Sequence, residues 1–168
     1  MVVIMKKTKT IIHRNQATSG RRRVILIDIE NFNGGPISSS AQAHWCRRVI
    51  ENWVRLEPGE QVIIASDVTG VIDIQLAWSG ARILAGRSED GADLRLLKVM
   101  DEDLPARFTE MVLISGDHIY ADKVSALAEV GLPTHVFAHS AVLSKRLNLA
   151  ATTVTTVIEP TPTVGKAA

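Results

Sequence analysis

Four aspartates follow apolar runs of the sequence, in positions where their carboxylates could act together. They are Asp28, Asp67, Asp93 and Asp117. Carboxylates crowded within a few ångströms repel one another unless a cation neutralises them. Mg²⁺ and Mn²⁺ prefer oxygen ligands, and no His or Cys here has the spacing of a zinc site. The pattern therefore predicts a Mg²⁺ or Mn²⁺ site, whose bound metal could activate a water against a phosphodiester.

The elements that would position these aspartates alternate between strand and helix patterns. Short apolar runs predict strands over Val24–Ile27, Gln61–Ser66, Arg82–Ala85, Met111–Ile114, Thr134–Ala138 and Thr153–Ile158. Helical periodicity predicts helices from Ser38–Ser40 to about Leu56, and over Val71–Trp78, Asp90–Met100, Ala121–Val130 and Ser140–Leu149. This alternation predicts a three-layer α/β/α sandwich with a mostly parallel central sheet. Ligands of such sheets bind at the carboxyl ends of the strands, which is where the aspartates fall.

The first long helix has apolar residues at helical spacing, namely Trp45, Val49, Trp53 and Leu56. We predict that this face packs in the core, so that the two tryptophans do not serve as base-stacking platforms. The chain has three Trp, three Phe and one Tyr, too few for the stacking surface of an RRM-like sheet. Cys46 lies on the same helix without a nearby base, and we predict a structural role for it.

Length and composition indicate one globular domain. The chain has 168 residues, of which 46% are hydrophobic, enough to build a core. No apolar run approaches the roughly 20 residues of a membrane span, so no membrane partner is expected. The single cysteine excludes an internal disulfide and makes a reducing, cytoplasmic location the default.

Charge is distributed unevenly along the chain. Residues 1–23 contain seven basic residues and no acidic one, whereas the rest has 12 basic residues against 18 acidic ones. We predict a flexible basic arm over residues 1–21, a folded domain over 22–158 and a flexible tail over 159–168. A basic arm on an acidic domain is typical of contact with nucleic acid, and a solvated leader or an organellar transit peptide are the alternatives.

Three of the strand ends resemble motifs of the NYN family, a branch of the PIN-like nuclease superfamily. Residues 24–31 resemble its opening strand, which ends in Asp-x-x-Asn. Residues 91–94 resemble its Gly-x-Asp segment at a helix start, and residues 112–117 resemble its Ser-Gly-Asp strand end. The resemblance extends over residues 22–158, with the motifs in the family's order.

That resemblance implies a PIN-like fold and a metal-dependent endoribonuclease that hydrolyses single-stranded RNA. Asp28, Asp93 and Asp117 would bind Mg²⁺ or Mn²⁺, and Asn31 would orient Asp28 or a bound water. Dimers are common among PIN-like proteins, so a homodimer is also an expectation. The candidate RNA contacts are Arg21, Arg22, Arg23, Ser115, Arg87 and Lys123. For Arg87 and Lys123, a place on an exposed helix surface is the alternative.

One residue departs from the family pattern. Where the family continues Ser-Gly-Asp-x-Asp-Phe, this chain has Ile119 in place of the second aspartate and Tyr120 in place of the phenylalanine. The candidates for a fourth acid are Asp122, Asp67 and Glu30. Because Ile119 cannot ligate a metal, an inactive NYN-fold module that binds RNA or protein is the alternative function.

A haloacid-dehalogenase-like phosphatase is a further alternative. Asp28-Ile-Glu30 loosely resembles the Asp-x-Asp nucleophile motif of those enzymes. Ser115 and Asp117 share one turn here, whereas the corresponding features of that family end different strands. This arrangement favours the nuclease over the phosphatase.

Overall fold

The computed structural model describes residues 3–8, 20–87 and 91–158, with side chains described within 20–87 and 91–157. The strands are β1 (Val3–Thr8), β2 (Arg23–Asp28), β3 (Gln61–Asp67), β4 (Arg82–Gly86), β5 (Glu110–Ile114), β6 (Thr134–His139) and β7 (Thr153–Ile158). The helices are α1 (Ile29–Asn33), α2 (Ser40–Val54), α3 (Val71–Ala77), α4 (Gly91–Met100), α5 (Leu104–Arg107), α6 (Ala121–Glu129) and α7 (Lys145–Ala150). Short 3₁₀ turns at Val68–Gly70 and His118–Tyr120 precede α3 and α6.

The strands form one sheet in the order β1-β7-β6-β5-β2-β3-β4. The six strands from β2 to β7 are parallel to their neighbours, and β1 pairs antiparallel with β7. The predicted α/β/α sandwich with a mostly parallel sheet is therefore confirmed. Because β2 lies between β3 and β5, the chain leaves β2 on one side and returns to β5 on the other. Such a switch point opens a crevice at the carboxyl ends of the two strands.

The side chains of β2 alternate between two hydrophobic cores. Val24 and Leu26 pack in one core, which α4, α6 and α7 cover, and Ile25 and Ile27 pack in the other, which α1, α2 and α3 cover. All four are fully buried. Burial on both faces explains why the strand is a continuous apolar run instead of an alternating one.

Strand β1 is a difference from the sequence-based expectation, because residues 3–8 lie within the predicted arm. Its backbone pairs with β7 from Val3 opposite Ile158 to Thr8 opposite Thr153. The two strands are about 150 residues apart in the chain, so the local sequence does not indicate that they pair. Residues 1–2 and 9–19 of the predicted arm, the predicted tail 159–168, and Asp90 of the predicted helix Asp90–Met100 lie outside the described residues.

The last helix begins later than predicted. Instead of Ser140–Leu149, the helix is α7, with Ser144 as its N-cap accepting a hydrogen bond from the backbone N–H of Leu147. The backbone N–H of Ser144 donates to the carbonyl oxygen of Gly116 at 2.8 Å. This long-range bond fixes residues 140–143 as a turn beside the end of β5. No helix in the described part of the chain is long and apolar enough to cross a membrane.

The buried face of α2 also differs from the prediction. The buried residues are Ala43, Cys46, Ile50 and Val54, while Trp45 and Trp53 are only partly buried. The helix therefore faces the core with its small and branched residues, and the larger tryptophans lie at the border of the core. Burial raises the pKa of the Cys46 thiol to about 12, which agrees with a structural role.

Candidate functional site

Asp28 forms the centre of the candidate site, at the carboxyl end of β2. Its side chain is the N-cap of α1 and accepts a hydrogen bond from the backbone N–H of Asn31 at 3.2 Å. The Ser115 hydroxyl donates to Asp28 Oδ2 at 2.9 Å. Only 2% of Asp28 is exposed, so this carboxyl group depends on protein donors for its solvation.

Tyr120 joins Asp28 to the second carboxylate of the site. Its hydroxyl lies 3.2 Å from Asp28 Oδ2 and 3.2 Å from Asp93 Oδ1. Asp93 is in the first turn of α4, and Tyr120 is fully buried at the end of a 3₁₀ turn. A phenol has one proton to donate, so it can serve only one of the two carboxylates at a time.

The electrostatics of the site oppose ionisation of Asp28. Burial raises the pKa of Asp28 to about 7, and the negative charge of Asp93 raises it as well. The hydrogen bonds from Asn31, Ser115 and Tyr120 act in the opposite direction but do not compensate. The same burial, with the two carboxylates beside it, raises the pKa of Tyr120 far above its ordinary value, so the phenol stays protonated.

The segment after β5 connects Asp117 to this network through its backbone. The backbone N–H of Asp117 donates to Ser115 Oγ at 3.1 Å, and that of Gly116 donates to Asn31 Oδ1 at 2.8 Å. A Cβ at Gly116 would lie 2.4 Å from the carbonyl oxygen of Val142, so only glycine fits the crossing. Asn31 and Ser115 thus fasten the ends of β2 and β5 to each other.

The Asp117 carboxylate is partly exposed and has local partners. Its Oδ1 accepts from the backbone N–H of Ile119 at 3.0 Å and lies 2.9 Å from His118 Nδ1. Ile119 packs partly buried against the core. Asp117 is therefore the N-cap of the 3₁₀ turn that delivers Tyr120 into the site.

The three candidate fourth acids have partners other than Asp28, Tyr120 and Asp93. Glu30 Oε1 accepts from the backbone N–H of Asp67 at 2.7 Å. Asp67 caps its own turn, and the backbone N–H of Thr69 lowers its pKa. Asp122 has a side chain 86% exposed and pairs with Arg146. Among the described residues, no group of three or more His, Cys, Asp and Glu side chains is placed to hold a metal ion.

Tyr120 is the functional candidate that the sequence reasoning did not select. The available signal was that a tyrosine buried in a fold needs a hydrogen-bond partner for its hydroxyl. Its position after the Ser-Gly-Asp motif placed it near the predicted acids. The identity of the partners depends on the sheet order and is not visible in the local sequence.

Most of the predicted basic contacts have other partners in the structure. Arg21 pairs with Glu110. Arg23 is buried, pairs with Glu60, and donates to the carbonyl oxygens of Val54 and Arg55 at 3.1 Å each. These arginines lie at or beside the amino end of β2, opposite the Asp28 carboxylate, so Arg23 supports the fold.

The other three basic candidates lie at different places in the fold. The backbone N–H of Arg22 donates to Thr109 Oγ1, at the same edge of the sheet as Arg21. Lys123 pairs with Asp101. Arg87 is exposed directly after β4, at the carboxyl edge of the sheet where Asp28 lies.

The comparisons with known proteins bear on the fold. No protein-family model matches the sequence, and no curated protein shows significant similarity to it. The crystal structure of a protein of unknown function from Vibrio parahaemolyticus is similar, with a TM-score of 0.57 and 16% sequence identity. The match covers 82% of this chain and 93% of that chain. At this identity the likeness supports a shared fold, and the resemblance to the NYN family stays a prediction.

Proposed function

We propose that this chain is a Mg²⁺- or Mn²⁺-dependent endoribonuclease that acts on single-stranded RNA. The observation that carries the proposal is the buried Asp28 carboxyl, which shares the Tyr120 hydroxyl with Asp93 at the switch point of the sheet. Ionisation of both carboxylates would place two negative charges beside one hydroxyl, and a bound cation would stabilise that state. Ligand sites of α/β sheets are found at this edge.

The donor chemistry of the site fits a hard divalent cation. Asp28 and Asp93 offer oxygen atoms only. Burial, and then the negative charge of Asp93, raise the pKa of Asp28 to about 7, and a cation bound between the two would favour the ionised form. Mg²⁺ is commonly held by one or two carboxylates and keeps several waters, so a third preassembled carboxylate is not required. Asp28 and Asp93 would hold the ion, which when bound supplies an activated water and neutralises phosphate charge.

The remaining residues of the site would position these carboxylates. Ser115 fixes Asp28 Oδ2, and Asn31 holds the turn after β5 against α1. Asp117 Oδ1 is engaged with Ile119 and His118, while Oδ2 takes part in neither contact. Asp117 Oδ2 would be the candidate to accept a proton from the water that attacks the scissile phosphate.

The test is cleavage of labelled single-stranded RNA in Mg²⁺, Mn²⁺ or EDTA. We expect metal-dependent cleavage by the wild type and its loss in Asp93→Asn and Asp117→Asn. Asp122→Asn is the matched control, because it makes the same chemical change at an exposed carboxylate paired with Arg146. Activity that survives EDTA, or that Asp93→Asn leaves intact, would contradict the proposal.

A second candidate function is an RNA-binding module that does not cleave. Ile119 packs against the core at the position where the NYN family, which this sequence resembles, has a carboxylate. Tyr120 places its hydroxyl between Asp28 and Asp93. In this case the folded wild type binds RNA in EDTA and leaves it uncut in either metal. The same assay, read with a binding measurement, separates the two functions.

A further inference from the structure

Helix α2 presents a basic stripe to solvent. His44, Arg48 and Asn52 are exposed at helical spacing, and the exposed Arg55 follows the helix as its C-cap, with a left-handed backbone. The acid of this helix, Glu51, lies beside the stripe and pairs with Arg47. Within the described part of the chain, neither Arg48 nor Arg55 makes an ion pair. The stripe therefore keeps its positive charge available to an anionic partner.

A cluster of aromatic rings borders this stripe. Trp45 and Trp53 are partly buried, and each packs on Phe32, with ring centroids 5.8 and 5.1 Å apart. The His139 ring stacks on Phe32 at 5.2 Å and meets Trp53 edge-on at 5.1 Å. Both tryptophans are thus packed on Phe32 and partly exposed, and the indole nitrogen of Trp53 is buried.

The cluster is physically continuous with the acidic site. Phe32 belongs to α1, the five-residue helix that Asp28 caps. The carbonyl oxygen of Phe32 lies 3.1 Å from His139 Nε2 at the carboxyl end of β6. The aromatic cluster and the Asp28 carboxyl are thus joined through α1.

We propose that this face, made of His44, Trp45, Arg48, Trp53 and Arg55, is a docking surface for single-stranded RNA. The basic side chains bind backbone phosphates, and the tryptophans stack on unpaired bases. A positively charged track with adjacent aromatic rings is the usual arrangement for single-stranded nucleic acid. The inference rests on the proposed function, and it offers RNA a surface whose two arginines form no ion pair among the described residues.

The phosphate contacts are tested by the salt dependence of binding. The probe is a fluorescein-labelled oligouridylate, measured by anisotropy in EDTA so that no cleavage occurs. Removing two phosphate contacts with Arg48→Gln and Arg55→Gln should lower the slope of log K against log salt by about 1.4. The control, Arg82→Gln with Arg107→Gln, removes the same charge from residues that pair with Glu102, and should leave the slope nearly unchanged.

The stacking contact is tested with Trp45→Leu. We expect a loss of affinity of about tenfold with an unchanged salt slope, since one stacked base is lost and no charge is removed. An abasic version of the probe should bind the wild type and Trp45→Leu equally. Circular dichroism and urea unfolding report whether the variants are folded.

The outcomes separate this surface from the nuclease activity. If the oligouridylate binds through α2 but is not cut in Mg²⁺ or Mn²⁺, the proposed nuclease activity is wrong and the docking surface is supported. If the double variant Arg48→Gln with Arg55→Gln binds the oligouridylate with the affinity and salt slope of the wild type, the proposed docking surface is wrong, whether or not RNA is cleaved. Absence of any binding to the oligouridylate also overturns it.

Discussion

Replacement of Asp28 by asparagine should stabilise the folded protein at mildly alkaline pH in the absence of metal. The wild type must ionise a buried carboxyl whose pKa burial raises from 3.8 to about 7. Asparagine is nearly the same size and has no charge to bury. Residues of functional sites often carry such a stability cost.

The size and sign of the effect follow from the two pKa values. Between about pH 4 and 7 the folded state binds a proton that the unfolded state has released, so the free energy of unfolding falls as pH rises. The contribution of the protonated group is fully present below the unfolded pKa and lost as pH rises through about 7. The difference is on the order of 4 kcal/mol, at about 1.4 kcal/mol per pKa unit.

Part of this gain is lost with the hydrogen bonds of the carboxylate. Asp28 accepts from Asn31, Ser115 and Tyr120, and the amide nitrogen of an asparagine cannot accept. One lost hydrogen bond costs about 1 kcal/mol. The net stabilisation of Asp28→Asn at about pH 8 should therefore be roughly 2 to 3 kcal/mol.

The assay is urea unfolding of both proteins in EDTA, from about pH 4 to 8. The wild type should lose stability relative to Asp28→Asn across this range, and other groups cancel in the difference. Parallel curves, or a variant less stable than the wild type at about pH 8, would refute the reasoning. Added Mg²⁺ at 100 times its Kd should stabilise the wild type by about 2.7 kcal/mol and leave Asp28→Asn unchanged.

Three further substitutions test the contacts around the site and the fold. Tyr120→Phe removes a hydrogen bond that lowers the pKa of Asp28, so NMR titration of that carboxyl should show a pKa above that of the wild type, and an unchanged pKa would contradict the bridging role. Arg23→Gln removes a buried guanidinium from its carboxylate partner, and it should lower the free energy of unfolding in urea by about 3 kcal/mol. The control is Arg21→Gln, because the side chain of Arg21 is 57% exposed, and it should lower that free energy by less than about 1 kcal/mol. Gly116→Ala forces a Cβ to within 2.4 Å of a backbone oxygen and should cost about 1 to 3 kcal/mol; a wild-type melting temperature would show that the turn yields easily.

The local sequence determined which segments become strands and where the acids follow them. A continuous apolar run such as residues 24–27 predicts a strand that is buried on both faces of a sheet, and this prediction needs no structure. The same holds for Ser39 at the start of α2, whose hydroxyl accepts from the backbone N–H of Gln42. Asp28 and Asp117 fall at strand ends for the local reason that both cap the turn that follows.

The tertiary structure decided which of these side chains meet. Tyr120 contacts Asp28, which is 92 positions away in the chain, and Asp93, which is 27 positions away. Strand β1 pairs with β7, at the opposite end of the described chain. Arg23 continues a basic run in the sequence but is buried against Glu60. Each of these contacts depends on the order of strands in the sheet, which joins segments whose local patterns carry no information about one another.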